Sequence, residues 1–244
     1  CGFDRLFTPR RPVKEYFPGV REALQGSGAT VLVPRLSPTA GVETRAAELG
    51  RFIRREVGTR PVHVIGHSLG GLDARYLISN LGFDRQIQSL TTVGTPHRGT
   101  AFADWAVLRW AKLFVPVLLS LRISVDAFFD LTTAACRAFN DAVPDAAGVR
   151  YFAVAGVCEK PWLGPEWRLP AAIVGREEGP NDGVVSVASA TWGERTDVWA
   201  GDHLNLVNWP NRHMRKAGEW TDRAADYGRL LVRLAAVERG DPVP

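Results

Sequence analysis

The stretch Val62-His63-Val64-Ile65-Gly66-His67-Ser68-Leu69-Gly70-Gly71 constrains this chain more than any other. Residues of strand character run straight into Gly-x-Ser-x-Gly, and a helix-forming segment, Leu72 to Ser79, follows. Strand, sharp turn and helix in that order make a nucleophile elbow. Such a turn forces its central residue into a strained backbone conformation and lifts the Ser68 hydroxyl clear of the sheet. Gly66 and Gly70 leave room for strand and helix to approach, with His67 between them as part of the elbow's support. The backbone N–H of Leu69, at the head of the helix, is placed to stabilise an oxyanion. The pentapeptide alone also occurs in ordinary turns; the flanking strand and helix are what point to catalysis.

The rest of the chain supplies more parallel-sheet units. Val42 to Val57 reads as a helix, with Ala46, Leu49, Phe52 and Ile53 at helical spacing. Val13 to Gln25 reads as another, stopped by Gly26-Ser27-Gly28, and Ala29 to Val33 as a short buried strand ended by Pro34. Ile87 to Val93 and Val149 to Val157 are strands, Val198 to Ala200 is a shorter strand-like piece, and Glu219 to Arg239 is an amphipathic closing helix. Strands alternating with helices imply βαβ units and a mostly parallel sheet covered on both faces. Ligands bind such sheets outside the carboxyl ends of the strands, so Ser68 and the loop from Gly94 to Thr100 belong to one edge. The strongly apolar segment from Ala101 to Ala138 is either a buried helical layer or a movable lid over an apolar pocket.

Composition excludes several classes. The 244 residues suit a single domain, residues 1–244, and the formal charge of +4 is carried by scattered arginines, which gives no footprint for nucleic acid. The longest apolar run, Leu113 to Leu121, is broken by Pro116 and too short to span a bilayer. Cys1, Cys136 and Cys158 have no metal-ligand spacing; they allow one disulfide and require none. Gly66 to Gly71 lacks both the Lys-Ser/Thr of a phosphate-binding P-loop and the glycine spacing of a dinucleotide fingerprint.

A serine nucleophile needs a base, and the base an orienting carboxylate. On this fold the chain order is Ser, Asp or Glu, His. That order excludes His63, His67 and His97 and leaves His203 and His213. Asp182 lies in the turn Gly179-Pro180-Asn181-Asp182-Gly183, although Asp-Gly is first of all a turn signal. His203 follows the short strand-like segment, whereas His213 sits among Asn211, Arg212 and Arg215 as on a solvated surface. Order and loop position favour Asp182 and His203.

Four motifs together, Gly66-His67-Ser68-Leu69-Gly70-Gly71, Val93-Gly94-Thr95-Pro96-His97-Arg98-Gly99, Asn181-Asp182-Gly183-Val184-Val185-Ser186 and His203, resemble bacterial triacylglycerol lipases of the Pseudomonas and Burkholderia type. The resemblance covers most of the chain, least between about Ala103 and Asp130 and near Lys160 to Gly175. It implies an α/β-hydrolase fold with a helical lid insertion at about 101–138. It also implies carboxylic-ester hydrolysis by Ser68, Asp182 and His203, a lipid ester as partner at an oil–water interface, and secretion or placement in the cell envelope. The chain departs from the family in three ways. Cys1-Gly2-Phe3-Asp4 looks like the tail of a His-Gly-x-x-Gly-Phe-Asp motif, so the chain reads as N-terminally truncated, without the strand and second oxyanion donor that precede it; one such donor is worth about 10²–10³ in turnover. The family's structural calcium uses an Asp two residues and a Gln six residues after the histidine, where this chain has Asn205 and Trp209; no metal or other cofactor is expected. The family's disulfide partner after Asn-Asp-Gly is Ala188 here. The alternatives are a small-ester carboxylesterase, a phospholipid or polyester hydrolase, and a catalytically silent member of the fold that binds hydrophobic ligands.

Overall fold

The computed structural model describes residues 16–109, 126–159 and 163–243, the side chain of residue 166 excepted. Four strands, β1 (Val62–His67), β2 (Ile87–Val93), β3 (Arg150–Val157) and β4 (Arg195–Ala200), form one parallel sheet in the order β1-β2-β3-β4. Each is rich in β-branched or aromatic residues, and β2 and β3 are almost wholly buried, as strands covered on both faces should be. The residues of one strand divide between two cores. Leu90 of β2 and Tyr151 of β3 pack with Ala46, Leu49, Ile53 and Leu77 beneath helices Val42–Glu56 and Leu69–Asn80. Val93 and Val154, three residues further on, point the other way, to Tyr227 and Leu230 of the closing helix Ala224–Arg239. Arg45 and Asp73, both fully buried, join the two helices of the first core in a fork of hydrogen bonds of 2.8–3.2 Å.

Most elements lie where periodicity puts them; three differ. The helix expected from Val13 begins at Val20, because Pro18 and Gly19, the latter at φ 75°, cannot continue a helix backwards. Residues 13–15 lie outside the described set. Ala29 to Val33 is not a strand: it has no ladder partner among the described residues, and Leu32 is 42% exposed. Its apolar content is met instead by packing, with Val31 set against the cluster that also receives Ile65. The closing helix starts at Ala224 rather than Glu219, its first N–H taken by the Asp222 carboxylate at 2.7 Å. A helix at Pro165–Glu177, opened by Pro165 in its first turn, had no clear sequence signal.

The segment expected as a lid, about 101–138, falls in part on 110–125, outside the described residues. Its flanks are helical at 101–109, Asp126–Phe129 and Thr133–Ala142. The last of these is fixed to the body: Cys136 is fully buried, and Asn140 both accepts from Arg75 at 2.7 Å and donates to the His97 carbonyl at 2.8 Å.

Candidate active site

Every strand delivers its following loop to the same edge of the sheet. β1 ends at His67, and Ser68 turns the chain into helix Leu69–Asn80, so there is no loop between them. Ser68 sits at φ 53°, ψ −129°, a conformation that L-residues avoid, and its N–H is held by the Val93 carbonyl at 2.9 Å. The crowding that fixes this turn lies at Gly66 and Gly71. A Cβ on Gly66 would stand 2.7 Å from the Gly70 carbonyl oxygen, and one on Gly71 2.2 Å from Thr95 Oγ1. Gly70, expected to provide clearance, faces open space: no atom lies within 4 Å of where its Cβ would be. Thr95, from the loop after β2, donates its hydroxyl to the Ser68 carbonyl at 2.8 Å and braces the elbow from outside. The Leu69 N–H, at the head of the helix, has no acceptor among the described residues. Ser68 itself remains partly exposed.

Asp182 and His203 are brought together by β3 and β4. Asp182 is completely buried; its Oδ1 accepts the N–H groups of Val184 and Val185 at 3.1 and 2.9 Å, and its Oδ2 meets His203 Nδ1 at 2.7 Å. The Asp182 carbonyl also accepts the His203 N–H at 2.8 Å. With one carboxylate oxygen saturated by backbone donors, the other is aimed at the imidazole, which fixes a proton on Nδ1 and leaves Nε2 as the free base. Burial by itself would lower the His203 pKa; the Asp182 charge and hydrogen bond, with Asp202 adding to them, outweigh it and carry the value above 6.5. Space for the pair is made by two glycines, Gly94 of the edge loop and Gly156, which the sequence did not single out: a Cβ on Gly94 would lie 3.2 Å from both Asp182 Oδ2 and His203 Nδ1, and one on Gly156 2.7 Å from the Asp182 Cβ.

His67 couples the elbow to this pair. Its Nε2 lies 3.0 Å from the His203 carbonyl and its Nδ1 2.7 Å from the Tyr16 hydroxyl, while the two imidazoles lie 4.6 Å apart between centroids. Since a carbonyl only accepts, Nε2 carries the proton and Nδ1 accepts from Tyr16. Burial, and next the charge of His203, hold the His67 pKa well below the usual range, so it stays neutral beside His203. Among the described residues no hydrogen bond joins Ser68 Oγ to His203, whose ring is held by Asp182; bonds of this kind tighten as the transition state is approached.

The remaining histidines are elsewhere. His97 is fully buried, stacked on Trp192 at 4.8 Å and bonded to Thr92 Oγ1; His63 faces Ser89 and Glu238; His213 lies on the short helix Arg212–Ala217. The loop 94–100 that carries His97 is laced to the Asp182 loop: Thr100 Oγ1 donates to the Val184 carbonyl at 2.5 Å, Ser189 Oγ to the Gly99 carbonyl at 2.6 Å, and Arg98 to the Ala188 and Thr191 carbonyls. Trp167, on the unforeseen helix Pro165–Glu177, stands 6.5 Å from the His203 ring and forms an apolar wall with Leu163 beside Gly183. The positions after His203 do not suit a calcium ion. The Asn205 side-chain oxygen is engaged by the Arg223 guanidinium at 3.0 Å, and the Trp209 indole offers no oxygen, donating instead to the Tyr16 carbonyl.

No family model matches the chain. Among characterised proteins it is 35% identical to triacylglycerol lipase 2 of Saccharomyces cerevisiae, over 81% of this chain and 64% of that one, so it spans somewhat under two thirds of the yeast protein. It is 30% identical to a triacylglycerol lipase of Pseudomonas fragi, over 88% of this chain and 87% of that one. Among solved structures, a Staphylococcus hyicus lipase superposes with a TM-score of 0.73 over 94% of this chain and 92% of its own, at 18% identity. A metagenomic carboxyl esterase does so with a TM-score of 0.70 over 92% and 70%, at 17% identity. The folds agree, the Pseudomonas relative is matched nearly end to end, and the chain belongs to the triacylglycerol lipase family of α/β-hydrolases.

Proposed function

We propose that this protein hydrolyses carboxylic esters of lipids through an acyl-enzyme intermediate on Ser68. The observation that carries the reading is the buried Asp182–His203 pair, 2.7 Å apart, on the same sheet edge as a serine held at φ 53°. His203 Nε2 takes the Ser68 proton as Oγ attacks the ester carbonyl, and Asp182 stabilises the imidazolium that forms. The Leu69 N–H donates to the developing oxyanion. His203 then returns the proton to the leaving alcohol. A water molecule attacks the acyl carbon with His203 again as base, and the carboxylic acid leaves Ser68 restored.

Long-chain substrates are favoured by the apolar surroundings of this edge. Trp167 and Leu163 wall the His203 side, and helix 101–109, with Phe102 stacked on Trp105, presents Leu108 at 84% exposure. The family resemblance adds a lid at about 101–138 to this reading, an apolar cover that a lipid surface would displace; within it the described helix Thr133–Ala142 is anchored to the body through Cys136 and Asn140. The test is hydrolysis of p-nitrophenyl palmitate and butyrate, with Ser68→Ala as control. Palmitate turnover that the substitution removes is the expected result. Butyrate turnover alone identifies a small-ester carboxylesterase, and a folded protein inactive on both identifies a binding protein on the same fold.

A further inference from the structure

His203 is carried by a loop, and a loop holds a side chain only as firmly as the groups it is tied to. The chain leaves β4 at Ala200, carries His203, and re-enters regular structure in the single turn Asn205–Val207. One nitrogen closes the neck of that excursion: Arg223 Nη2 donates both to the Ala200 carbonyl and to Asn205 Oδ1, the latter at 3.0 Å. The neighbouring Nη1 donates to Asp226 Oδ2 at 2.9 Å, in the first turn of the closing helix, which anchors the guanidinium to the body. Arg223 is 5% exposed, so these charge-assisted bonds act where water competes little. The neck is drawn to contact: a Cβ on Gly201 would lie 2.2 Å from Asn205 Oδ1 and 3.1 Å from Arg223 Nη2.

We propose that Arg223 is a positioning residue for the reaction, its guanidinium tying together both ends of the His203 loop and so holding the imidazole against Asp182. This rests on the reading of His203 as the base. Lysine would substitute only in part, because the full grip needs a planar fork whose separate nitrogens reach acceptors on different segments. Three titratable groups face His203: the Asp182 carboxylate, the Asp202 carboxylate and the neutral His67 ring. Trp167 adds no charge. When the neck opens, the ring moves off Asp182 while staying buried, so the acid limb of the rate profile moves to lower pH.

The experiment compares Arg223→Met, Arg223→Lys and Asn205→Ala with the intact wild-type protein on p-nitrophenyl esters, rates being normalised to fluorophosphonate-reactive sites. The expected result is a fall in kcat on the order of 10²-fold for Arg223→Met. KM should change little, the acid limb of kcat/KM should shift down, and Arg223→Lys should fall between the two. Asn205→Ala removes the same arm while leaving Arg223 paired with Asp226, and decides the matter if Arg223→Met does not fold. Wild-type kcat and an unmoved acid limb would overturn the proposal. So would a loss that merely follows the folded fraction, since that is what a structural arginine would give. If wild-type turnover survives Ser68→Ala, it is the underlying reading of the triad that fails.

Discussion

Ser68 and His203 stand on the same sheet edge and are held by opposite means. The serine is held by sterics and backbone: a strained turn with no loop, two glycines whose clearance is below 3 Å, and its own N–H bonded to the end of the neighbouring strand. The histidine is held by side chains reaching in from outside its own loop: Asp182 on its ring, His67 on its carbonyl, Arg223 across its neck. A position defined by excluded volume tolerates almost no substitution nearby. One defined by hydrogen bonds degrades in steps, and its loss is read in pH profiles.

That contrast can be broken at several points. The largest effect belongs to the proposed nucleophile: Ser68→Ala should reduce kcat by about 10⁶, the order found when a triad serine is removed, while leaving the melting temperature close to wild type. Asp182→Asn should reduce kcat by roughly 10⁴, through the wrong imidazole tautomer. It should also change the pH profile. In the wild type the acid limb of kcat/KM should lie above 6.5, because Asp182 outweighs burial at His203. Without that charge burial dominates, and the limb should drop below the wild-type position. The sign for stability is the reverse of that for activity. His203 protonation favours the folded state; its contribution is complete below 6.5 and fades as pH rises through the raised value. Activity lost on mild acidification is therefore not unfolding driven by this group, which circular dichroism at pH 6 would verify.

The glycines sharpen the steric half. Gly71→Ala drives a methyl into Thr95 and should cost about 1–3 kcal/mol, seen as a lower denaturation midpoint, with turnover falling as the elbow shifts. Gly70→Ala, in open space at the head of the helix, should instead be neutral or stabilise by up to about 1 kcal/mol. Equal destabilisation by both would mean that the elbow is not fixed by the contacts described. Smallest of all, chelation with EDTA should leave turnover unchanged, since the Asn205 side-chain oxygen is taken up by the Arg223 guanidinium. Restoration of lost activity by added calcium would contradict that.

The same contrast explains what the sequence made legible. The elbow is local: strand, Gly-x-Ser-x-Gly and helix are contiguous, so pattern alone reached the strained turn at Ser68 and the crowding at Gly66. Helix Val42–Glu56 was equally plain, because its apolar residues follow one period throughout, and strand β2 was legible as a short run rich in β-branched residues that ends at a glycine. Pattern misassigned Gly70, since the motif does not say which glycine faces the neighbouring strand. Ala29 to Val33 misled for a related reason: an apolar run records burial but not whether a ladder partner lies alongside. The His203 site is assembled from distant segments, and only chain order and family resemblance reached it. Gly156, Trp167 and Arg223 each matter through a contact with a residue far away in the chain, and nothing in their local sequence announces it.

The most direct test of the account is to treat the protein with a fluorophosphonate and locate the adduct by mass spectrometry. The expected result is one phosphonylated site, on Ser68, formed faster above the acid limb of His203 and absent from Ser68→Ala. An adduct on another residue, or none in a folded protein that hydrolyses esters, would contradict the assignment of Ser68 as nucleophile and with it the mechanism built on Asp182 and His203.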